Sequence, residues 1–237
     1  MAKKNVVILI VEGISDERAL SSIRRYVKDT FGIHIHLTNG DIFSDYTKRK
    51  SIKALVGDQV QKVMEQYKYT RNEILAVIQV TDTDGVFIKD ECIIIDENME
   101  ENLKYHNDSI HVSNQENAVK SKQRNKFKAS NLKAMYSANK VQKTLDYHLL
   151  YFSCNLDHVI HNECNLVQTE KDPKAKKFDR LYKDKPNDFI EFFKNEEFAV
   201  NGTLLESWQF IQEDTHSLER YSNFHHIFNI LDLLIKK

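Results

Sequence analysis

The sequence predicts an α/β protein with a mostly parallel sheet flanked by helices, and three observations carry that expectation. Val6–Val11 is a continuous run of β-branched residues and Leu, the pattern of a strand buried on both faces, and Ile74–Thr81 is a further strand-like run. Strand-like and helix-periodic segments alternate through the first half of the chain, which implies right-handed crossovers between parallel strands. Both runs also end in acidic clusters, where an open parallel sheet presents ligand sites.

Taken in order, Val6–Val11 is the first strand. Ser15 can cap the next element, and Asp16 and Glu17 suit a first helical turn. Ala19, Leu20, Ile23, Tyr26 and Val27 recur at helical spacing, and Gly32 ends that helix. Ile33–Leu37 alternates through His34 and His36, as a strand does, and runs into the turn Thr38–Asp41. A helix is expected over about 51–66, with Ile52, Leu55, Val56, Val60 and Val63 as its buried stripe. Ile74–Thr81 is the third strand. Val86–Ile88 and Cys92–Ile95 are short apolar pieces, and 97–145 is polar and helical in part, an insertion in the alternation. Tyr147–Ser153 reads as a fourth strand, with a helix from near Asn155. Beyond Thr169 the pattern is helical, so residues 1–168 are expected to form the α/β domain and 169–237 a helical C-terminal extension packed on it.

The chain has 237 residues, 41% of them hydrophobic, and a formal net charge of −1, so bulk charge does not announce a polyanionic partner. Its three cysteines form no CxxC, which argues against a disulfide framework and fits a reducing cytoplasm. The apolar stretch after Met1–Asn5 is too short for a signal core or a membrane span, so no membrane partner is expected.

Glu12 follows the first strand at once, and Asp16 falls one turn into the next helix. Asp82 and Asp84 sit at the matching end of the third strand, two apart and so on one side if the segment stays extended. If the two strands are neighbours, four carboxylates converge. Like charges that close raise one another's pKa unless a cation intervenes. An oxygen-only donor set favours Mg2+ or Mn2+, or Ca2+, over softer metals. Blander readings exist for each piece: Asp16 and Glu17 as complements to the helix dipole, Glu12 as a solvated strand end, Asp84-Gly85 as a hairpin turn. An EF-hand is a poor fit, because Ile93 stands where the closing glutamate would be.

Val11-Glu12-Gly13-Ile14-Ser15-Asp16-Glu17 after one strand, and Asp82-Thr83-Asp84-Gly85 after a later one, resemble the two signature motifs of the Toprim domain. The acid four positions after Glu12 is most similar to the pattern of OLD-family and small Toprim nucleases, and Gly40 after the second strand also looks Toprim-like. The resemblance covers residues 5–96 and the strand at 147–153. It implies a Mg2+-dependent nuclease that hydrolyses DNA or RNA, with Glu12 in acid/base chemistry or metal ligation, Asp82 and Asp84 on the metal, and Asp16 completing a second metal position. It further implies a phage-defence or abortive-infection setting with a separate ATPase partner. The Gly-rich third motif and the late lysine of the OLD pattern are not found, which keeps open a non-catalytic module that binds nucleic acid or protein. A strand-passing or priming enzyme is disfavoured, since no second domain with its tyrosine or zinc is visible.

Between Asn117 and Leu145 there is no acidic residue, while Lys120, Lys122, Arg124, Lys126, Lys128 and Lys133 are interleaved with Phe127 and Tyr136. That stripe is a candidate nucleic-acid contact, with a solvated helix face as the rival reading. Asn155, Asp157 and His158 lie at a strand-to-helix junction and are candidates for a supporting role at the acidic site. Cys154, His158, His161 and Cys164 form a weaker zinc candidate. His225-His226 reads as a surface boundary pair.

Overall fold

A computed structural model describes residues 5–44 and 49–236; Met1–Lys4, at the chain start, lie outside the described residues. The first strand, β1 (Val6–Val11), is wholly buried. It leads into α1 (Ile14–Ala19) and α2 (Ser22–Phe31), where the sequence predicted one unbroken helix. The two are joined through Leu20 and Ser21, and Gly32 closes α2 at φ 63°. Then follow β2 (His34–Asn39), α3 (Ile52–Tyr67) capped by Ser51, and β3 (Ile74–Asp82). The polar insertion holds three short strands, β4 (Ile93–Ile95), β5 (Leu103–Tyr105) and β6 (Ile110–Val112), and the long helix α4 (Gln115–Tyr136). A two-residue strand, β7 (Lys140–Val141), precedes β8 (Leu145–Phe152). The remainder is α5 (Leu156–His161), α6 (Gln168–Tyr182), α7 (Pro186–Phe193), α8 (Leu204–Phe210) and α9 (His226–Ile235).

The main sheet runs β2-β1-β3-β8-β7, parallel except for the edge strand β7, and the insertion forms a separate sheet β4-β6-β5. The α/β class and the mostly parallel sheet flanked by helices are therefore as the sequence predicts. Side chains of β1 alternate between two cores. Val7, Leu9 and Val11 pack with α2 and with Phe178, Phe189, Phe193 and Phe224 of the C-terminal part. Val6, Ile8 and Ile10 pack with α3, with Leu132 and Met135 of α4, and with Trp208. Residues beyond 169 thus contribute side chains to both cores, as an extension packed on the sheet. Val86–Ile88 forms a turn, not a strand; Ile88 packs with the insertion sheet and Leu218, while Val86 and Phe87 join the core that holds α3 and Trp208.

The strand order reverses at β1. The chain leaves it to form β2 on one side, then crosses to form β3 on the other. The loops after β1 and β3 consequently part above the sheet's carboxyl edge, and a crevice opens between them. No helix among the described residues is long and apolar enough to cross a membrane, and the three cysteines are free thiols.

Candidate functional site

The crevice between β1 and β3 is where Glu12, Asp16, Asp82 and Asp84 lie. Glu12 is held from β3: the Thr81 hydroxyl and the Asp82 amide (3.1 Å) both donate to Oε1. Asp16 folds back to accept the Gly13 amide at 2.9 Å, which sets the tight exit from β1. Asp82 Oδ1 accepts the Leu156 amide at 3.0 Å, tying the end of β3 to the start of α5.

Asp84 and Gly85 both sit in the left-handed region, at φ 51° and 67°, so the strand end turns instead of staying extended. That turn is pinned by hydrogen bonds from the Asp84 amide to the Cys154 carbonyl (2.8 Å) and from the Gly85 amide to the Ser217 carbonyl (3.1 Å). A Cβ at Gly85 would run into the Leu218 side chain, so glycine is required there on two counts.

The residue that organises these carboxylates is Lys128. Read in the sequence as part of an exposed basic stripe, it is instead fully buried. Its ammonium lies between Asp84 Oδ2 (2.6 Å) and Glu12 Oε1 (3.1 Å). Arg124 is corrected in the same way. It donates to the Tyr105 hydroxyl (3.1 Å) and the Asp84 carbonyl (3.1 Å), while Tyr105 donates to Asp84 Oδ1 (3.3 Å). The signal was in the sequence. Ala118, Ser121, Asn125, Lys128, Leu132 and Met135 recur at three- and four-residue spacing and form the buried face of α4. Among the other stripe residues, Lys120 and Lys126 are exposed and pair with Glu116 (2.5 Å) and Asp90 (3.5 Å). Lys133 is exposed over the Phe87 ring, and Lys122 is half-exposed.

Burial raises the Glu12 carboxyl to about 7, with Asp84 and Asp41 adding to the rise and Lys128 opposing it. Asp82 is pushed well above the usual carboxylate range, by burial first and then by Asp16 and Glu12. Asp16 is raised chiefly by burial. For Asp84, burial pushes upward, but Lys128 and Arg124 outweigh it and the net shift is downward. Lys128 and Arg124 thus favour the charged form of Asp84, while burial favours the protonated form of Asp82 and Asp16.

The cleft beside the site, about 520 Å3, is lined by Asp82, Asp84, Lys104, Tyr105, Asn155 and Lys171. Asn155 caps α5 by accepting the His158 amide at 2.9 Å. Asp157 pairs with Lys171 at 3.2 Å, and both lie within electrostatic reach of Asp16. Sequence reasoning missed Lys171, since Asp172 and Asp179 diluted the charge pattern around it.

His158 is a correction. Its ring is buried, its Nδ1 has no hydrogen-bond partner, and burial lowers its pKa to about 4; it makes no hydrogen bond to the acidic residues. His225 and His226 are largely buried as well, which corrects the surface reading. The zinc candidate does not assemble: Cys154 is buried, and a hydrogen bond from it holds the Cys164 thiol down to about 7.

Oxygen-only donors are the chemistry a hard divalent ion takes. Among the described residues, however, no group of three or more His, Cys, Asp or Glu side chains is arranged to hold one. Lys128 is already paired with Glu12 and Asp84. Comparison with known proteins adds no relative, since no family model, no curated protein and no solved structure matches the chain.

Proposed function

We propose that this chain is a Mg2+- or Mn2+-dependent phosphodiesterase acting on DNA or RNA, built on a Toprim-like core. The observation that supports it best is the meeting of Glu12, Asp16, Asp82 and Asp84 from two loops at the point where strand order reverses. Asp82 and Asp16, with Glu12 beside them, would hold the ion. When bound, such an ion makes water a better nucleophile and offsets the charge that develops on phosphate.

The chain's own groups divide the remaining work. Lys171 and Lys104 border the cleft and draw the phosphodiester towards the carboxylates. Thr81 and the Asp82 amide hold the Glu12 carboxylate still, where it can hand on a proton. Tyr105 and Arg124 keep Asp84 and its carbonyl in place. The exposed Lys120, Lys126 and Lys133, with Lys122, lie on the helix that carries Lys128 inward and would add phosphate contacts outside the cleft. A separate ATPase partner, and a place in phage defence, belong to this reading through the motif resemblance alone.

One observation favours a second reading, a binding module without catalysis: Lys128 already compensates Glu12 and Asp84. Incubation with single- and double-stranded DNA and RNA in Mg2+ or Mn2+ separates the two. Cleavage that falls at least about a hundredfold in Glu12→Gln and Asp82→Asn supports the enzyme. Cleavage unaltered in both variants overturns it, and nucleic-acid binding with no cleavage and no response to chelator supports the module.

A further inference from the structure

We propose that Cys164 is a site of thiol oxidation in the wall of the acidic cleft, with Cys154 as its resolving partner, so that a peroxide converts the pair into a disulfide. The inference stands on the two thiols and does not depend on the metal-dependent reading of the carboxylates.

The two sulfurs differ in what can reach them. Cys164 sits half-buried in the turn between α5 and α6 and lines the cleft beside Tyr105, Asn155 and Asn165. Cys154, just beyond β8, is fully buried. The two nevertheless meet. The Cys154 thiol donates to Cys164, and the Asn155 side chain joins them, with Nδ2 2.8 Å from the Cys164 carbonyl and 3.7 Å from Cys154 Sγ. Asn165 Nδ2 donates to Cys164 Sγ as well, at 3.2 Å. Two donors on one sulfur favour its thiolate, the form that attacks a peroxide; the Cys154 donor, outweighing burial, holds the Cys164 thiol down to about 7.

The Cys164 thiolate attacks one peroxide oxygen. The S–O bond forms, the O–O bond breaks, and the departing hydroxide leaves as water with the thiol proton. The Cys154 sulfur then attacks the sulfenic sulfur. The S–S bond forms, the S–O bond breaks, and the hydroxyl leaves as water with the Cys154 proton. Two thiols thus give two electrons to one peroxide. Cys154 is the fixed half of the pair, since its amide donates to the Ser217 carbonyl (3.0 Å) and its carbonyl accepts the Asp84 amide (2.8 Å). Closure therefore draws on the Cys164 turn and removes the 3.5 Å hydrogen bond from the Cys164 thiol to the Tyr105 carbonyl in β5.

Peptide mapping tests this. The reduced full chain is treated with a small molar excess of hydrogen peroxide, alkylated with N-ethylmaleimide in urea and mapped by mass spectrometry, with the half-buried Cys92 as internal control. A Cys154–Cys164 cross-link that dithiothreitol reverses, with Cys92 alkylated, is expected. Cys154→Ala is expected to carry sulfinic acid at Cys164, because no neighbouring thiol intercepts the sulfenic acid. Cys164→Ser is expected to leave Cys154 reduced. Three intact thiols in the wild-type protein, sulfinic acid at Cys164 without a cross-link, or oxidation of Cys92 ahead of Cys164 overturns the proposal. If Cys154→Ala does not fold, the wild-type map and Cys164→Ser decide, and oxidised Cys154 in Cys164→Ser overturns the assignment of roles.

Discussion

Removing the Lys128 ammonium is the perturbation whose consequences the structure specifies most fully. In Lys128→Met the side-chain volume is nearly kept, so little cavity forms and the change is electrostatic. Breaking a buried ion pair from one side costs about 3–5 kcal/mol, because the partner is left charged and unpaired. Here two partners are left, but their side chains keep 14% and 21% of their exposure against 0% for Lys128, so water recovers part of the loss. The low end, about 3 kcal/mol, is therefore expected. For a chain of this size that corresponds to a fall in Tm of roughly 6–12 °C.

The loss should be largest in chelator at about pH 8, where Glu12 is ionised, and smaller near pH 5, where a proton on Glu12 replaces the missing cation. Mn2+ at about a hundred times its Kd should return about 2.7 kcal/mol if the ion takes the vacated position. Thermal and urea denaturation across those conditions gives the readout, with Lys128→Met/Asp84→Asn expected to lose less than the two single variants together. A Tm within about 2 °C of wild type in chelator at about pH 8, less than 1 kcal/mol at this chain length, would refute the reasoning.

The remaining predictions are as direct. Because Glu12 has its pKa raised from 4.5 to about 7 in the folded state, the metal-free protein should lose stability as pH rises between those values; Glu12→Gln should reduce that slope and leave the part that Asp82 and Asp16, raised in the same direction, contribute, as pH-dependent urea melts will show. Gly85→Ala must adopt a left-handed backbone and displace Leu218, so a loss of about 2–4 kcal/mol is expected, and wild-type stability would contradict the account of the turn. Asp82→Asn should melt, without metal, at the wild-type temperature or above it, since it removes a buried charge from a crowded set, and a clearly lower temperature would contradict that. Lys126→Ala with Lys133→Ala should weaken nucleic-acid binding and lower its salt dependence by about one log–log unit for each lysine that meets a phosphate; an unchanged slope would remove α4 from the binding face.

Much of the frame was legible in the residues, for physical reasons that differ by element. Val6–Val11 and Ile74–Asp82 announced themselves because a strand buried on both faces carries no polar alternation. Ser51 and Asn155 marked helix starts because their side chains accept hydrogen bonds from amides of the first turn. The acidic residues were found because they directly follow those strands. The sheet β4-β6-β5 was not legible, since three-residue strands leave no periodic signal and their pairing depends on Ile93 meeting Ile110 in space.

Lys128 was misread for an instructive reason. Its charge pointed to solvent, while its helical register placed it with Leu132 and Met135, and register prevailed because two carboxylates waited on the buried side. Whether Asp84 stays extended or turns was left open by the sequence because Cys154 and Ser217, distant along the chain, provide the hydrogen bonds that bend it. His158 was misplaced because the helix start at Asn155 turns its ring into the core.

The most direct measurement is an anomalous difference map from crystals soaked in Mn2+. The account predicts a peak in the crevice between β1 and β3, beside Asp82, Asp16 and Glu12, with Lys128 still buried against Glu12 and Asp84. A map with no peak in the crevice between β1 and β3, or with the ion bound elsewhere, would contradict it.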